Sequence, residues 1–209
     1  RSKVQLRLYP SKKMITQEKF NEMMEVEGHV RGIGLRDGLE FIKIEEGEEA
    51  LRKIEGSITD LGYPLKLEEI NMTKFYPLGV VGILFIVAQE IFGWEDEQFR
   101  KMGGFSSRSS SIIRLFMKYF VSLDRVIERG QSMWNTYFDV GQINPKKADK
   151  EAKEIIMELK NFSLHPLHCQ YLRGYFSKMF GLILKAAPRA RETKCIHKGD
   201  DCHEFVINW

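Results

Sequence analysis

The chain has 209 residues, 43% of them hydrophobic and 29% charged, and 32 basic against 29 acidic side chains leave a net charge of +3. That length buries a real core, and the composition excludes a disordered chain, a collagen-like repeat and a disulfide-dense mini-scaffold. The near balance of charge excludes a dedicated nucleic-acid binder, which carries a basic stripe.

The first residues, RSKVQLRLYP, show no apolar run behind the basic ones, so no signal peptide is expected, and the missing initiator Met suggests a trimmed chain. Thr16 is placed to cap a short helix ending near Met24. Four glycines between Gly28 and Gly38 predict a loop or hairpin. Gly32-Ile33-Gly34 with Gly38 imitates a nucleotide loop, but the spacing is wrong and an Asp37-Gly38 turn explains it better. Leu39 to Ile44 alternates as a half-buried strand does. Ala50, Leu51, Ile54, Ile58 and Leu61 form one helical stripe, stopped by Gly62. Leu65 to Ile70 alternates again. Residues 1–72 therefore read as an N-terminal α/β segment.

Residues 73–209 read as a second, helix-rich domain. Leu78 to Ala88 is an apolar run of 11 residues, about half of what a membrane span needs, so no membrane span is expected and Leu78 to Phe92 should be a buried central helix. Gly93-Trp94-Glu95-Asp96 leads into another helix with acids in its first turn. GGFSSRSSS, Gly103 to Ser111, should break it, and Ser109, Ser110 or Ser111 should cap a further helix over Ile112 to Leu123. That serine-rich segment could also hold a phosphate with Arg108, although a loop and cap explain it more simply. Met133 to Ile143 reads as a strand, Asn144-Pro145 as a turn, and Ala148 to Leu159 as an amphipathic helix. Tyr171 to Leu184 carries the strongest helical pattern in the chain. The end, ETKCIHKGDDCHEFVINW, reads as a hairpin of an antiparallel sheet. The expected fold class is α/β.

Three cysteines without an export signal point to a reducing, cytoplasmic setting. Cys169 opens the Tyr171–Leu184 helix, while Cys195 and Cys202 sit on the two arms of the hairpin. Three thiolates and the carboxylate of Glu192 would complete a tetrahedral zinc shell and staple a hairpin that would otherwise fray. Lys194, Lys198 and Arg191 would offset its negative charge. His168, His197 and His203 are each close enough in sequence to replace Glu192, and three packed core thiols would give the same spacing. His165 and His168 beside Cys169 could form a Cys–His nucleophile pair. A metal-bound thiolate is not free to attack, however, and no oxyanion-hole motif accompanies it, so no catalytic residue is assigned. Phe116, Tyr119, Phe120, Trp134, Tyr137 and Phe138 are a set that could line a pocket for a small apolar molecule; such stripes also serve as plain core.

The stretch CQYLRGYF…ETKCIHKGDDCHEF resembles the C-terminal signature of the 4-vinyl-reductase domain. The resemblance is specific over residues 160–209, looser over 75–160 and absent from 1–72. It implies zinc held by Cys169, Glu192, Cys195 and Cys202, as in phenol-sensing regulators that carry this domain. It also implies a non-catalytic sensory domain, forming a homodimer, with a pocket for a small apolar or aromatic ligand. The wider superfamily includes haem–nitric-oxide-binding domains and TRAPP transport-particle subunits, so a protein–protein interaction module without ligand is the alternative. For the haem branch, Tyr175-Phe176-Ser177-Lys178-Met179 carries Met179 where the Tyr-x-Ser-x-Arg motif has Arg, with Lys178 one position short of it. No His lies between His29 and His165 to serve as an axial ligand there.

Overall fold

A computed structural model describes residues 15–109 and 123–209. Their elements run α1 (Gln17–Met24), β1 (His29–Arg31), α2 (Gly32–Glu46), α3 (Glu48–Asp60), β2 (Phe75–Pro77), α4 (Gly79–Phe92), α5 (Asp96–Ser109), α6 (Leu123–Tyr137), β3 (Gln142–Asp149), β4 (Glu154–Lys160), α7 (Pro166–Leu184), β5 (Arg189–Lys194) and β6 (His203–Asn208). The architecture is mixed α/β. A four-stranded antiparallel sheet of order β3-β4-β6-β5 packs with the helices, and β1 and β2 form a separate two-stranded ribbon. One buried cluster runs from Ile15 to Ile207, and the β1–β2 ribbon pairs His29 with Pro77 across positions 72 and 73. No helix among the described residues is long and apolar enough to cross a membrane.

Several expected elements are present. The Thr16 side chain accepts from the Lys19 N–H and caps α1, α3 carries the expected stripe, and Gly62 follows it with φ of 100°. Helix α4 is buried on nearly every side, and the C-terminal hairpin forms from β5 and β6.

Other expectations are corrected. The N-terminal segment is helical where loop and strand were expected, since α2 covers Gly32 to Glu46. Leu35, Leu39 and Ile42 are fully buried at helical spacing, and Gly38 lets the helix approach Leu84 of α4. That packing outweighs the poor helix propensity of the glycines, and it removes the nucleotide-loop lookalike. Leu65 to Ile70 holds only a 3₁₀ turn at Leu67–Glu69. Helix α5 continues through Gly103 and Gly104 as far as Ser109, so that segment is no loop. The expected helix from Ile112 lies, apart from Leu123, outside the described residues.

Met133 to Tyr137 belongs to α6, on which Leu123, Val126 and Trp134 are buried. Trp134 stacks on Phe138 four residues later at 4.5 Å, a helical spacing hidden when the window opens in mid-helix. Asn144 and Pro145 lie within β3 beside an irregularity in its pairing with β4. The expected helix over Ala148 to Leu159 is a turn followed by β4. Ile155, Met157 and Leu159 are buried on one face of β4, between β3 and β6. Period two and burial in mid-sheet prevail over the i, i+4 pattern that the same residues also satisfy.

Candidate functional site: a donor cluster and an internal cavity

Two features stand side by side at the start of α7. The first is a buried cluster of metal-binding groups. Cys169 comes from the first turn of α7, Glu192 from β5, Cys195 from the turn after β5 and His203 from the start of β6; one ligand atom from each lies within 4.8 Å of all the others. Cys169 Sγ is 3.8 Å from Cys195 Sγ and 3.7 Å from His203 Nδ1, and that nitrogen is 2.9 Å from Glu192 Oε1.

Local structure explains the convergence. Pro166 lies in the first turn of α7, where its missing N–H costs nothing, and His165 caps that helix by accepting from the Leu167 N–H. The β5–β6 pairing shifts register between Glu192 and Lys194, a bulge that re-aims side chains. A 3₁₀ turn at Ile196–Lys198, closed by Gly199 with φ of 95°, carries the chain back, and the Cys195 N–H donates to Asp200 Oδ2 at 2.7 Å.

Burial dominates the electrostatics of this cluster. It pushes the Cys169 thiol far up, and the Glu192 charge adds to that shift; burial also raises Cys195. Burial likewise works to raise Glu192, but the bonds to His203 and Cys169 prevail and hold the carboxyl below its usual value. The set offers two sulfurs, one imidazole and one carboxylate, a donor chemistry that could hold a metal ion.

Of the four ligands expected from sequence, three are together and Cys202 is elsewhere. Its buried thiol donates to Glu158 Oε1 at 3.7 Å, and His203 takes its place in the cluster. Neighbouring residues of an extended chain face opposite sides, so Cys202 and His203 cannot both point at Cys169. The signal was present in the sequence: counting back by twos from Ile207 through Phe205, both buried, reaches position 203.

The second feature is an internal cavity, partly open, of about 80 Å³. It lies between α2, α4, α5, α6 and α7, with Ile143 of β3 and Met157 of β4 closing the sheet side. Of the expected pocket residues, Trp134 and Tyr137 line it together with Phe138, whereas Phe116, Tyr119 and Phe120 lie outside the described residues. Phe85, Tyr171 and four methionines, Met102, Met133, Met157 and Met179, make much of the remaining wall.

Its polar members were not singled out from sequence as pocket residues: Asp37, Ser106, His168 and the Tyr171 and Tyr175 phenols. The His168 ring packs against Phe85 and Tyr171, which also touch each other. Burial, with the His203, His197 and His165 charges adding, pushes its pKa down to about 3, so it is neutral. Burial also raises both phenols, with Asp37 adding, so they too are neutral.

No family model matches the chain, and no characterised protein matches it by sequence. Comparison of folds gives a clear result. An H-NOX protein from S. oneidensis in the Fe(II) ligation state superposes with a TM-score of 0.65 at 14% identity, over 85% of this chain and 95% of that one. The Fe(II) unliganded H-NOX protein from K. algicida gives 0.59 at 16% identity, over 85% and 95%. A structure solved for work on haem redox potential and porphyrin distortion gives 0.56 at 15% identity, over 86% and 99%. The chain has the H-NOX fold.

These likenesses overturn the expectation of a structural zinc. The solved structures that share the fold are described by haem and Fe(II), and one of the four expected zinc ligands, Cys202, lies outside the cluster. The fold in turn raises haem, and the cavity decides against it. His168 is the only imidazole among the described lining residues. No Arg or Lys lines the cavity among the described residues to pair with propionates, and the charged residue that does is the acidic Asp37. The volume of about 80 Å³ is below the ~150 Å³ of an apolar cavity that takes up benzene, and a tetrapyrrole is far larger. The described residues do not fit a haem.

Proposed function

We propose that this chain is a non-catalytic sensory domain that takes a small, largely apolar or aromatic ligand into the cavity between its helices and its sheet. The observation that carries this reading is the cavity, walled by Phe85, Trp134 and Phe138 and by four methionines. Methionine side chains are unbranched and adaptable, which lets a small cavity open around a ring without rebuilding the fold. Trp134 and Tyr137 remain the ligand-facing residues of this proposal. Kinship with 4-vinyl-reductase domains, in place of the haem-carrying branch, is part of it.

Cys169, Glu192, Cys195 and His203 are proposed as a separate metal-binding site. It adjoins the cavity through consecutive residues, because His168 lines the cavity while Cys169 belongs to the cluster. Ligand burial against His168 would thereby bias the hairpin that β5 and β6 form. A second subunit in a homodimer, or another protein, would read that bias.

The test is a thermal-shift and native mass-spectrometry screen of the chain with small aromatic and alicyclic molecules, read together with the visible spectrum after incubation with hemin. Saturable binding of a one-ring compound with a raised melting temperature, and no haem-type absorption band, is the expected result. Stoichiometric haem uptake, or no ligand from the panel, would overturn the reading.

A further inference from the structure

Ser106 Oγ is buried, with the residue 3% exposed, and has no hydrogen-bond partner among the described residues. A buried hydroxyl left without a partner is costly, and such groups call for a specific explanation. Its neighbour Ser107 shows the ordinary solution: Ser107 Oγ donates to the Gly104 carbonyl at 2.8 Å, three residues back along α5. Ser106 makes no such bond and instead lines the cavity. The Tyr171 phenol lies close enough to interact with it, but no bond of normal geometry closes between them.

The cavity is therefore polarised. Phe85, Trp134, Phe138 and the methionines give apolar wall, while Ser106, beside the Tyr171 phenol, adds a hydroxyl that burial has not consumed. We propose that Ser106 is the specificity-determining anchor of this cavity, and that the ligand is a small apolar ring carrying one neutral hydrogen-bonding group, which pairs with Ser106 Oγ. The inference rests on the reading of the cavity as a ligand site and adds to it the class of ligand. A hydroxyl both donates and accepts, so an alcohol, a carbonyl or an amide satisfies it, whereas a pure hydrocarbon leaves it unpaired.

Toluene and benzyl alcohol differ by one hydroxyl and serve as probes. Their dissociation constants are measured by calorimetry or thermal shift for the wild-type chain, Ser106→Ala and Ser106→Cys. The wild-type chain should prefer benzyl alcohol. Ser106→Ala should cut that preference about fivefold, the size of one net hydrogen bond, without weakening toluene. Ser106→Cys should follow Ala, since a thiol is a weak donor and acceptor. If both probes bind and the variants leave the ratio unchanged, the anchor assignment falls while the cavity reading stands. If neither probe binds the wild-type chain, both fall together.

Discussion

Gly103 of α5 and Tyr171 of α7 meet backbone to backbone: a β-carbon on Gly103 would overlap the Tyr171 carbonyl oxygen. The contact is reciprocal, because a β-carbon on Gly174 would overlap the Arg100 carbonyl oxygen. Two glycines on facing helices thus set the crossing that places Ser106 beside the Tyr171 ring. Gly174→Ala should destabilise the chain by about 1–3 kcal/mol, the usual cost of overpacking. That is a fall of about 2–12 °C for a domain of this size. Gly56→Ala serves as a control, since a β-carbon there meets nothing within 4 Å, and it should leave the melting temperature unchanged or slightly raised.

His165 links stability to pH. Burial, with the His197 and Lys19 charges adding, lowers its pKa from 6.5 to about 4, and its Nδ1 caps α7 only as an acceptor, in the neutral ring. Between these two values the unfolded chain binds the proton and the folded chain does not. The contribution is therefore complete above about pH 6.5 and lost as the pH falls toward about 4. His165→Asn keeps an acceptor at the cap without titrating, so its melting temperature should fall less steeply over that window. Parallel pH profiles for the two chains would refute the assignment.

Adjacent residues of the hairpin should behave differently. His203→Ala removes the partner of a buried carboxylate, since the Glu192 and His203 side chains are 9% and 3% exposed. Breaking a buried pair in this way costs about 3–5 kcal/mol. Cys202→Ala removes only a packed thiol and a long contact to Glu158, and should cost about 1 kcal/mol, an ordinary figure for a point substitution. Elemental analysis supplies a second readout: any metal carried by the purified chain should be lost in His203→Ala and kept in Cys202→Ala. The reverse order would restore the set of ligands expected from the sequence.

Leu84 is 1% exposed and lines the cavity. Leu84→Ala should cost about 2–5 kcal/mol, because the space it leaves closes only in part. Ligand binding then returns stability in proportion to the logarithm of occupancy. Benzyl alcohol should therefore raise the melting temperature of Leu84→Ala at least as much as that of the wild-type chain. A variant that gains nothing from the ligand would separate the enlarged space from the binding site.

Strong single-period signals were legible in the sequence. The apolar run of α4 and the aromatic repeat of α7 fit only a helix, and the pattern of the terminal hairpin fits only paired strands. The failures share one physical cause. The residues of α2, α6 and β4 carry patterns compatible with either period, and tertiary contacts choose between them: Gly38 against Leu84, Trp134 against Phe162, Met157 between two strands. Three of the four cluster residues were found because Cys and Glu are scarce, informative side chains in that stretch. His203 was one alternative among three histidines until strand alternation selected it. The polar side of the cavity was not singled out, since Asp37, Ser106 and His168 come from three separate helices and share no spacing.

Strand β5 forms one border of the four-stranded sheet, and a bare border invites strands of other molecules to add on. Arg189, Arg191 and Thr193 are exposed along it, and the register shift after Glu192 distorts its outer row of amides. The bulge beside Glu192, which helps turn that carboxylate toward His203, is also the kind of irregularity that makes a sheet border a poor template for an added strand.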